Sequence, residues 1–149
     1  MYKRQAKAQL TNPLPYTEKN LDNGKQLFTI YCSVCHGEKG DGKGILVDRE
    51  KILGVPRYDD IGRAITEGSI YHVMYNGLNT MGSYASQTSI KERWQIDHYV
   101  MKLKGELEGK PEREFVNKTD TINGSEVKVE AKKELVSANS AGPSSNVQE

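Results

Sequence analysis

Cysteine is scarce in this sequence, and long hydrophobic runs are missing. Only two of the 149 residues are cysteine, and no apolar run extends beyond a few residues. A structural zinc site would need a second Cys/His pair, so this class of site is excluded. A membrane-spanning helix would need about 20 predominantly apolar residues in succession. The sequence therefore predicts no transmembrane span.

An excess of charge of one sign is missing as well. The formal net charge is only +1, so nothing in the composition indicates a nucleic-acid partner. The N-terminus starts with a basic segment, residues 1–7, but no apolar stretch follows it. A secretory signal peptide needs such a stretch, and none is predicted here.

The two cysteines lie close together, in the segment Cys32-Ser33-Val34-Cys35-His36. C-x-x-C-H is the signature of covalent haem attachment. Each thiol adds to one haem vinyl group, and the histidine then lies under the iron as its proximal ligand. A redox dithiol is the alternative, but a thioredoxin-like motif belongs to a βαβ unit, and no strand precedes this one. The motif therefore predicts one covalent haem c. Because haem c is normally attached outside the cytoplasm, we expect a leader or anchor outside this chain.

Length and composition predict one domain, residues 20–105, with a segment at each end. Residues 1–19 are interpreted as an extended arm that lies on another surface, or alternatively as a flexible terminus. Residues 106–149 form a polar tail, which either docks on a partner or stays disordered. Within this tail, residues 121–127 can form a small hairpin around Asn123-Gly124.

Apolar periodicity predicts a helix at each end of the domain. The first begins near Leu21, with Asn20 or Asp22 as its cap, and runs directly into the haem cysteines. The last begins at the capping box Ser89-Ile90-Lys91-Glu92 and ends at Gly105.

The middle of the domain is predicted to be less regular. Residues 37–60 are rich in glycine, and we interpret them as a loop that curls around a haem edge. Two short helices follow, over residues 61–67 and over residues 70–76, the second capped by Ser69.

The sixth ligand of the iron decides what a haem c can do. The candidates are three methionines and two histidines, namely Met74, Met81, Met101, His72 and His98. Met81 is favoured because it lies in a loop beside Gly82, where its side chain can reach the iron. A five-coordinate iron or a second histidine remains the alternative. His/Met ligation raises the reduction potential and leaves no open position, so it predicts one-electron transfer, whereas an open site would bind peroxide or small gases.

A wider pattern surrounds the haem motif, Gly24-x-x-x-Phe28-x-x-x-Cys32-x-x-Cys35-His36. Through it, residues 20–105 resemble the class I cytochromes c. The resemblance implies an all-α, class I cytochrome c fold with crossing N- and C-terminal helices, one or two short middle helices, a covalent haem c and extended terminal tails. It also implies that Gly24 and Phe28 pack against Ile96 and Tyr99 of the last helix.

The same resemblance implies further site residues. In the family a proline carbonyl accepts the Nδ1–H of the proximal histidine, and Pro56 is the candidate here. Arg63, Tyr58 and Trp94 are the candidate contacts of the haem and its propionates.

A closer resemblance rests on four segments. They are Gly54-Val55-Pro56, residues 62–74, Thr80-Met81-Gly82-Ser83-Tyr84 and Glu92-Arg93-Trp94-Gln95. In these the chain resembles the monohaem cytochrome c subunit of bacterial alternative complex III, a membrane-bound quinol-oxidising complex of the respiratory chain.

This closer resemblance implies a subunit that is not catalytic alone and that relays electrons from its partner subunits. We expect a multihaem cytochrome among these subunits, and a terminal oxidase or a soluble protein as the acceptor. The expected location is the periplasmic side of the inner membrane, held peripherally or by a lipid anchor on a part outside this chain. The alternatives are a freely diffusing periplasmic carrier and a five-coordinate haem enzyme or gas sensor.

Overall fold

The described part of the chain is built from helices. A computed structural model describes residue 5 and residues 8–116. Its helices are α1 (Glu18–Tyr31), α2 (Ser33–His36), α3 (Ile45–Asp48), α4 (Glu67–Asn76) and α5 (Ile90–Leu107). Within these residues the β-pairing is limited to one isolated antiparallel bridge between Leu78 and Met81. The predicted all-α class is confirmed.

Helix α1 begins earlier than predicted, because Thr17 and not Asn20 or Asp22 is its cap. The Thr17 hydroxyl accepts the backbone N–H of Asn20 at 3.2 Å. The Asn20 side chain makes longer-range contacts instead, since its amide donates to the Pro15 carbonyl at 2.9 Å and its Oδ1 accepts from Gln95 of α5. The helix therefore starts at Glu18.

Helices α1 and α5 cross at Gly24. A Cβ at this position would lie only 2.0 Å from the Gln95 carbonyl oxygen, so no larger residue fits without moving the backbones apart. One turn further along α1, the buried Phe28 ring meets Tyr99 edge-on at a centroid distance of 5.3 Å. Ile96 is buried in the same core. The predicted crossing of the first and last helices is confirmed.

The predicted helix over residues 61–67 is wrong. Residues 61–63 form turns, in which Asp60 accepts the backbone N–H groups of Gly62 and Arg63, and Ile61 is fully exposed. The next helix, α4, starts at Glu67 because Thr66 and Ser69 form a reciprocal capping box. Ser69 therefore lies inside the helix as the third residue and is not its N-cap. Gly77 ends α4, as expected from the sequence.

Helix α5 begins at the predicted capping box, with reciprocal hydrogen bonds between Ser89 and Glu92. It passes through Gly105 and ends at Leu107. Ion pairs one turn apart, Lys102 with Glu106 and Lys104 with Glu108, stabilise this last turn. No helix in the described residues is long and apolar enough to cross a bilayer.

Segments that precede α1 and follow α5 meet on the surface of α5. The backbone N–H of Val116 donates to the Tyr16 carbonyl at 2.9 Å, and the rings of Tyr16 and Phe115 stack at 5.2 Å. His98 of α5 bonds the Leu14 carbonyl at 3.0 Å. The part of the N-terminal arm around Leu14 and Tyr16 therefore lies on the domain itself. The predicted hairpin of residues 121–127 falls outside the described residues.

Candidate haem site

The haem motif lies where α1 breaks. The chain turns at Cys32, and the short helix α2 carries the rest of the motif. The backbone N–H groups of Cys35 and His36 both donate to the Cys32 carbonyl, at 3.1 and 2.9 Å. This tight turn brings the side chains of Cys32, Cys35 and His36 to the wall of one cavity.

The cavity has the size and chemistry expected of a cofactor site. Its volume is about 640 Å³, within the range of ligand pockets. Aliphatic and thioether side chains dominate its lining. They are Val34 of α2, Leu46 and Ile52 of the segment around α3, Ile65, Ile70, Val73, Met74, Leu78 and Met81 of α4 and its flanking loops, and Ile96 and Val100 of α5. Such a surface suits a flat apolar macrocycle.

The His36 imidazole is held in the neutral form that binds iron. Its ring stacks on Tyr58 at a centroid distance of 5.1 Å, with 23° between the planes. Burial lowers the pKa of His36 to about 4, so the imidazole is uncharged at neutral pH. Its Nδ1 is buried and has no hydrogen-bond partner among the described residues. Pro56 lines the same cavity, and its carbonyl stays the predicted acceptor in the haem-bound protein.

Neither Cys32 nor Cys35 is paired in a disulfide, so both sulfur atoms are available for covalent haem attachment. Burial, together with the nearby Cys35, raises the pKa of Cys32 to about 12. Redox-active dithiols contain a cysteine whose pKa is lowered instead. The environment of Cys32 therefore disfavours the redox dithiol alternative.

Two of the five candidate sixth ligands line the cavity, Met81 from the loop after α4 and Met74 from α4 itself. Met74 is buried in the hydrophobic core. His98 bonds Leu14 away from the cavity, and His72 contacts the Asn76 side chain on its own helix.

The structure brings two of the three predicted haem contacts to the cavity. Tyr58 and Arg63 line it, and the Arg63 guanidinium forms an ion pair with Asp60 at 3.3 Å. Trp94 lies elsewhere, stacked on Tyr71 at 4.2 Å. Since Trp94 and Ile96 are two residues apart on α5, they point about 160° away from each other, and Ile96 faces the cavity.

Tyr84 also lines the cavity, although no sequence motif predicts a role for it. Its hydroxyl donates to the Tyr31 carbonyl at 3.3 Å. The sequence feature that could have identified Tyr84 is its position: it is an aromatic residue three positions after Met81, at the far end of the same loop.

Comparison with known proteins agrees with this geometry. Residues 19–100 match the family described as cytochrome c oxidase, cbb3-type, subunit III. The match covers more than half of the chain, the haem motif included. The chain belongs to this family of c-type cytochromes. It follows that the cytochrome carries a covalently bound haem c.

Two relatives show where similar domains occur. The cytochrome is 31% identical over 93 residues to the dehydrogenase subunit of a quinone alcohol dehydrogenase from Acetobacter aceti. This match covers 60% of the chain but only 11% of the relative. Among solved structures, a chain of the reducing HAO-like protein complex of Kuenenia stuttgartiensis is 28% identical, with a TM-score of 0.52. That match covers 63% of the cytochrome and 49% of the other chain.

The residues present fit a haem c, because two cysteines outside any disulfide, a neutral imidazole and an apolar cavity lie together. The bound iron supplies one-electron oxidation and reduction. Cys32 and Cys35 would hold the macrocycle through thioether bonds, and His36 would bind the iron. The aliphatic lining would exclude water from the bound ring, which would favour the less charged ferrous form. The cytochrome is thus an electron-carrier domain.

Proposed function

We propose that this cytochrome is the monohaem electron-transfer subunit of a membrane-bound quinol-oxidising respiratory complex, of the alternative complex III type. The resemblance in residues 54–56, 62–74, 80–84 and 92–95 supports this assignment. Both relatives are named as parts of larger assemblies, a dehydrogenase subunit and a protein complex. The cytochrome would receive electrons from a multihaem partner and pass them to a terminal oxidase or a soluble acceptor.

His36 and Met81 are the proposed axial ligands. The observation that carries this proposal is the position of Met81, in a loop that lines the same cavity as His36. Loop residues can approach the iron without disturbing a helix. With both positions filled by protein, the iron exchanges electrons and binds no substrate.

The proposed location is the periplasmic side of the inner membrane. Haem c attachment outside the cytoplasm supports this location, and so does the proposed quinol-oxidising partner. The described residues have no helix that could cross the bilayer. The proposed attachment is through partner subunits or through a lipid anchor on a part outside this chain.

A second candidate is an electron acceptor for a quinone-linked dehydrogenase. The similarity to the Acetobacter aceti dehydrogenase subunit favours it. In this case the cytochrome would take electrons from a substrate-oxidising subunit and pass them to quinone. This direction is opposite to that in a quinol-oxidising complex.

Purification from native membranes separates these assignments. A tagged cytochrome is extracted in mild detergent, its partners are identified, and haem reduction is followed after adding quinol. We expect co-purification with a multihaem cytochrome and membrane subunits, and rapid reduction by quinol. Co-purification with a large dehydrogenase, with reduction only by that enzyme's substrate, would favour the second candidate. Recovery of the cytochrome alone in the soluble fraction would contradict both.

A further inference from the structure

The loop that carries Met81 is closed by its own backbone hydrogen bonds and is tied back to α4 by two further contacts. Leu78 and Met81 exchange two backbone hydrogen bonds, of 2.9 and 3.0 Å, which close a tight turn. Beyond Met81, the Ser83 hydroxyl donates to the Tyr75 carbonyl at 2.5 Å. The Tyr84 N–H donates to the Met74 carbonyl at 2.8 Å. These contacts fix the loop relative to α4 only.

Tyr84 also reaches across to the other side of the cavity. Its hydroxyl donates to the backbone carbonyl of Tyr31 at 3.3 Å, and the two rings meet edge-on at 6.1 Å. Tyr31 is the last residue of α1 and directly precedes Cys32. The last carbonyls of a helix have no partner within that helix. The Tyr84 hydroxyl supplies one for Tyr31.

The backbone around Tyr84 is itself well fixed. The N–H groups of Gln87 and Thr88 donate to the Tyr84 carbonyl, and the Thr88 hydroxyl does so at 2.6 Å. The buried Arg93 guanidinium in turn donates to the Thr88 carbonyl. Tyr84 is therefore a rigid support and not a side chain that moves freely with the loop.

We infer that Tyr84 is a positioning residue for Met81, and that its hydroxyl ties the methionine loop to the backbone beside the first haem cysteine. This inference rests on the methionine ligation proposed above. The proximal ligand is fixed by the motif that follows Tyr31, whereas the distal ligand sits on a loop. A hydrogen bond between the two sides opposes the loop movement that would release methionine from the iron.

Replacement of methionine by added imidazole tests this inference in the haem-loaded, full-length ferric protein. The weak long-wavelength absorption band of a methionine–iron bond reports the ligation state. Tyr84→Phe removes the hydroxyl and keeps the ring. Tyr99→Phe is the matched control, because it removes a hydroxyl on α5 outside the cavity lining. Ser83→Ala removes a tie on the α4 side of the same loop.

We expect Tyr84→Phe to keep the band in buffer but to lose it at imidazole concentrations about three- to tenfold lower than the wild type, as for one net hydrogen bond. Tyr99→Phe should match the wild type, and Ser83→Ala should shift in the same direction as Tyr84→Phe. A purely structural role predicts that denaturant midpoints fall while the imidazole midpoint stays unchanged, and this result would overturn the inference. Absence of the band from the wild-type protein would overturn the methionine ligation itself, and with it this inference.

Discussion

Met81 is the proposed distal ligand, so its replacement should have a direct spectroscopic consequence. It lines the haem cavity from a loop, while the other cavity methionine, Met74, packs in the core. Met81→Ala should abolish the methionine–iron band of the ferric protein and lower the reduction potential, because a soft thioether that favours ferrous iron is lost. The measurements are the ferric absorption spectrum and a redox titration.

Met74 provides the matched control for this prediction. Met74→Leu is close to volume-conserving and should cost less than about 1.5 kcal/mol of stability. It should therefore retain the band and a potential near that of the wild type. If Met74→Leu lost the band while Met81→Ala kept it, the assignment of the distal ligand would pass to Met74.

Gly24 is the residue on which the crossing of α1 and α5 depends. In Gly24→Ala the new Cβ would lie 2.0 Å from a backbone oxygen of Gln95, which no side-chain rotation can relieve. We expect a loss of about 1–3 kcal/mol or more in the free energy of unfolding, measured by denaturant titration.

Gly105 is the control position for this substitution. It lies within α5, and a Cβ there would meet no atom within 4 Å. Gly105→Ala should therefore stabilise the protein by about 0.5–1 kcal/mol, because alanine is the better helix former. Equal denaturant midpoints for Gly24→Ala and the wild type would contradict the close helix approach.

At the scale of elements, α5 joins two environments, the haem cavity on one face and a polar cluster on another. In this cluster the Asn12 side chain donates to the Trp94 carbonyl at 2.8 Å and to the Asp97 carboxyl at 3.1 Å. The Asn12 N–H donates to Glu67 of α4 at 2.8 Å. One arm residue thus connects the two helices through partly buried polar contacts.

Asp97 makes this cluster sensitive to pH. The side chain is fully buried, and burial, with a further contribution from Glu67, raises its pKa to about 8, against about 4 in the unfolded chain. Between about pH 4 and about pH 8, the folded state therefore holds a proton on Asp97 that the unfolded state has released. Its stabilising contribution is complete below about pH 4 and is lost as the pH rises through about 8.

Asp97→Asn should remove this dependence. As the pH rises from about 4 to about 8, we expect the unfolding free energy of the wild type to fall by up to about 1.4 kcal/mol per pH unit, and that of the variant to change less. Denaturant titrations at a series of pH values measure both slopes. Parallel slopes for the two proteins would show that Asp97 ionises normally in the folded state.

Helix ends show how far the sequence alone predicts this fold. The box at Ser89 and Glu92 was predictable, because both partners are local and adjoin a long apolar pattern. The start of α4 was not predictable in this way. Ile61, Ala64 and Ile65 suggest a helix that begins at residue 61, but the cap at Thr66 makes Glu67 the first helical residue. Periodicity locates apolar faces, but hydrogen bonds at the ends set the boundaries.

The residues of the site also differ in how far the sequence predicts them. Cys32, Cys35 and His36 are contiguous, so their convergence on one cavity follows from a single turn of chain. Met81 could be predicted as a site residue because it lies in a loop, where its side chain can reach the iron. The position of Trp94 depends on which face of α5 meets the haem cavity, and the tie from Tyr84 to Tyr31 spans 53 residues. Contacts over such separations are set by tertiary packing and leave no local pattern.

At the scale of the whole molecule, the segment that follows α5 packs on the segment that precedes α1. Phe115 stacks on Tyr16, and the Arg113 guanidinium lies 4.9 Å from the centre of the same ring. Arg113 also approaches Glu67 at 3.9 Å. The segment up to Val116 therefore covers the arm and helps to hold it on α5.

Two truncations separate this structural role from a docking role. Removal of residues 106–149 deletes the Phe115 and Arg113 contacts and the end of α5, so the free energy of unfolding should fall by about 2–4 kcal/mol, from the lost aromatic burial and stacking. Removal of residues 117–149 keeps these contacts and should leave both stability and the haem spectrum unchanged.

If the tail docks on partner subunits, both variants should co-purify less with the membrane complex than the full chain does. Full co-purification of the shorter deletion would show that residues 117–149 are not needed for docking. Equal stability of the two variants would show that residues 106–116 add nothing to the folded domain.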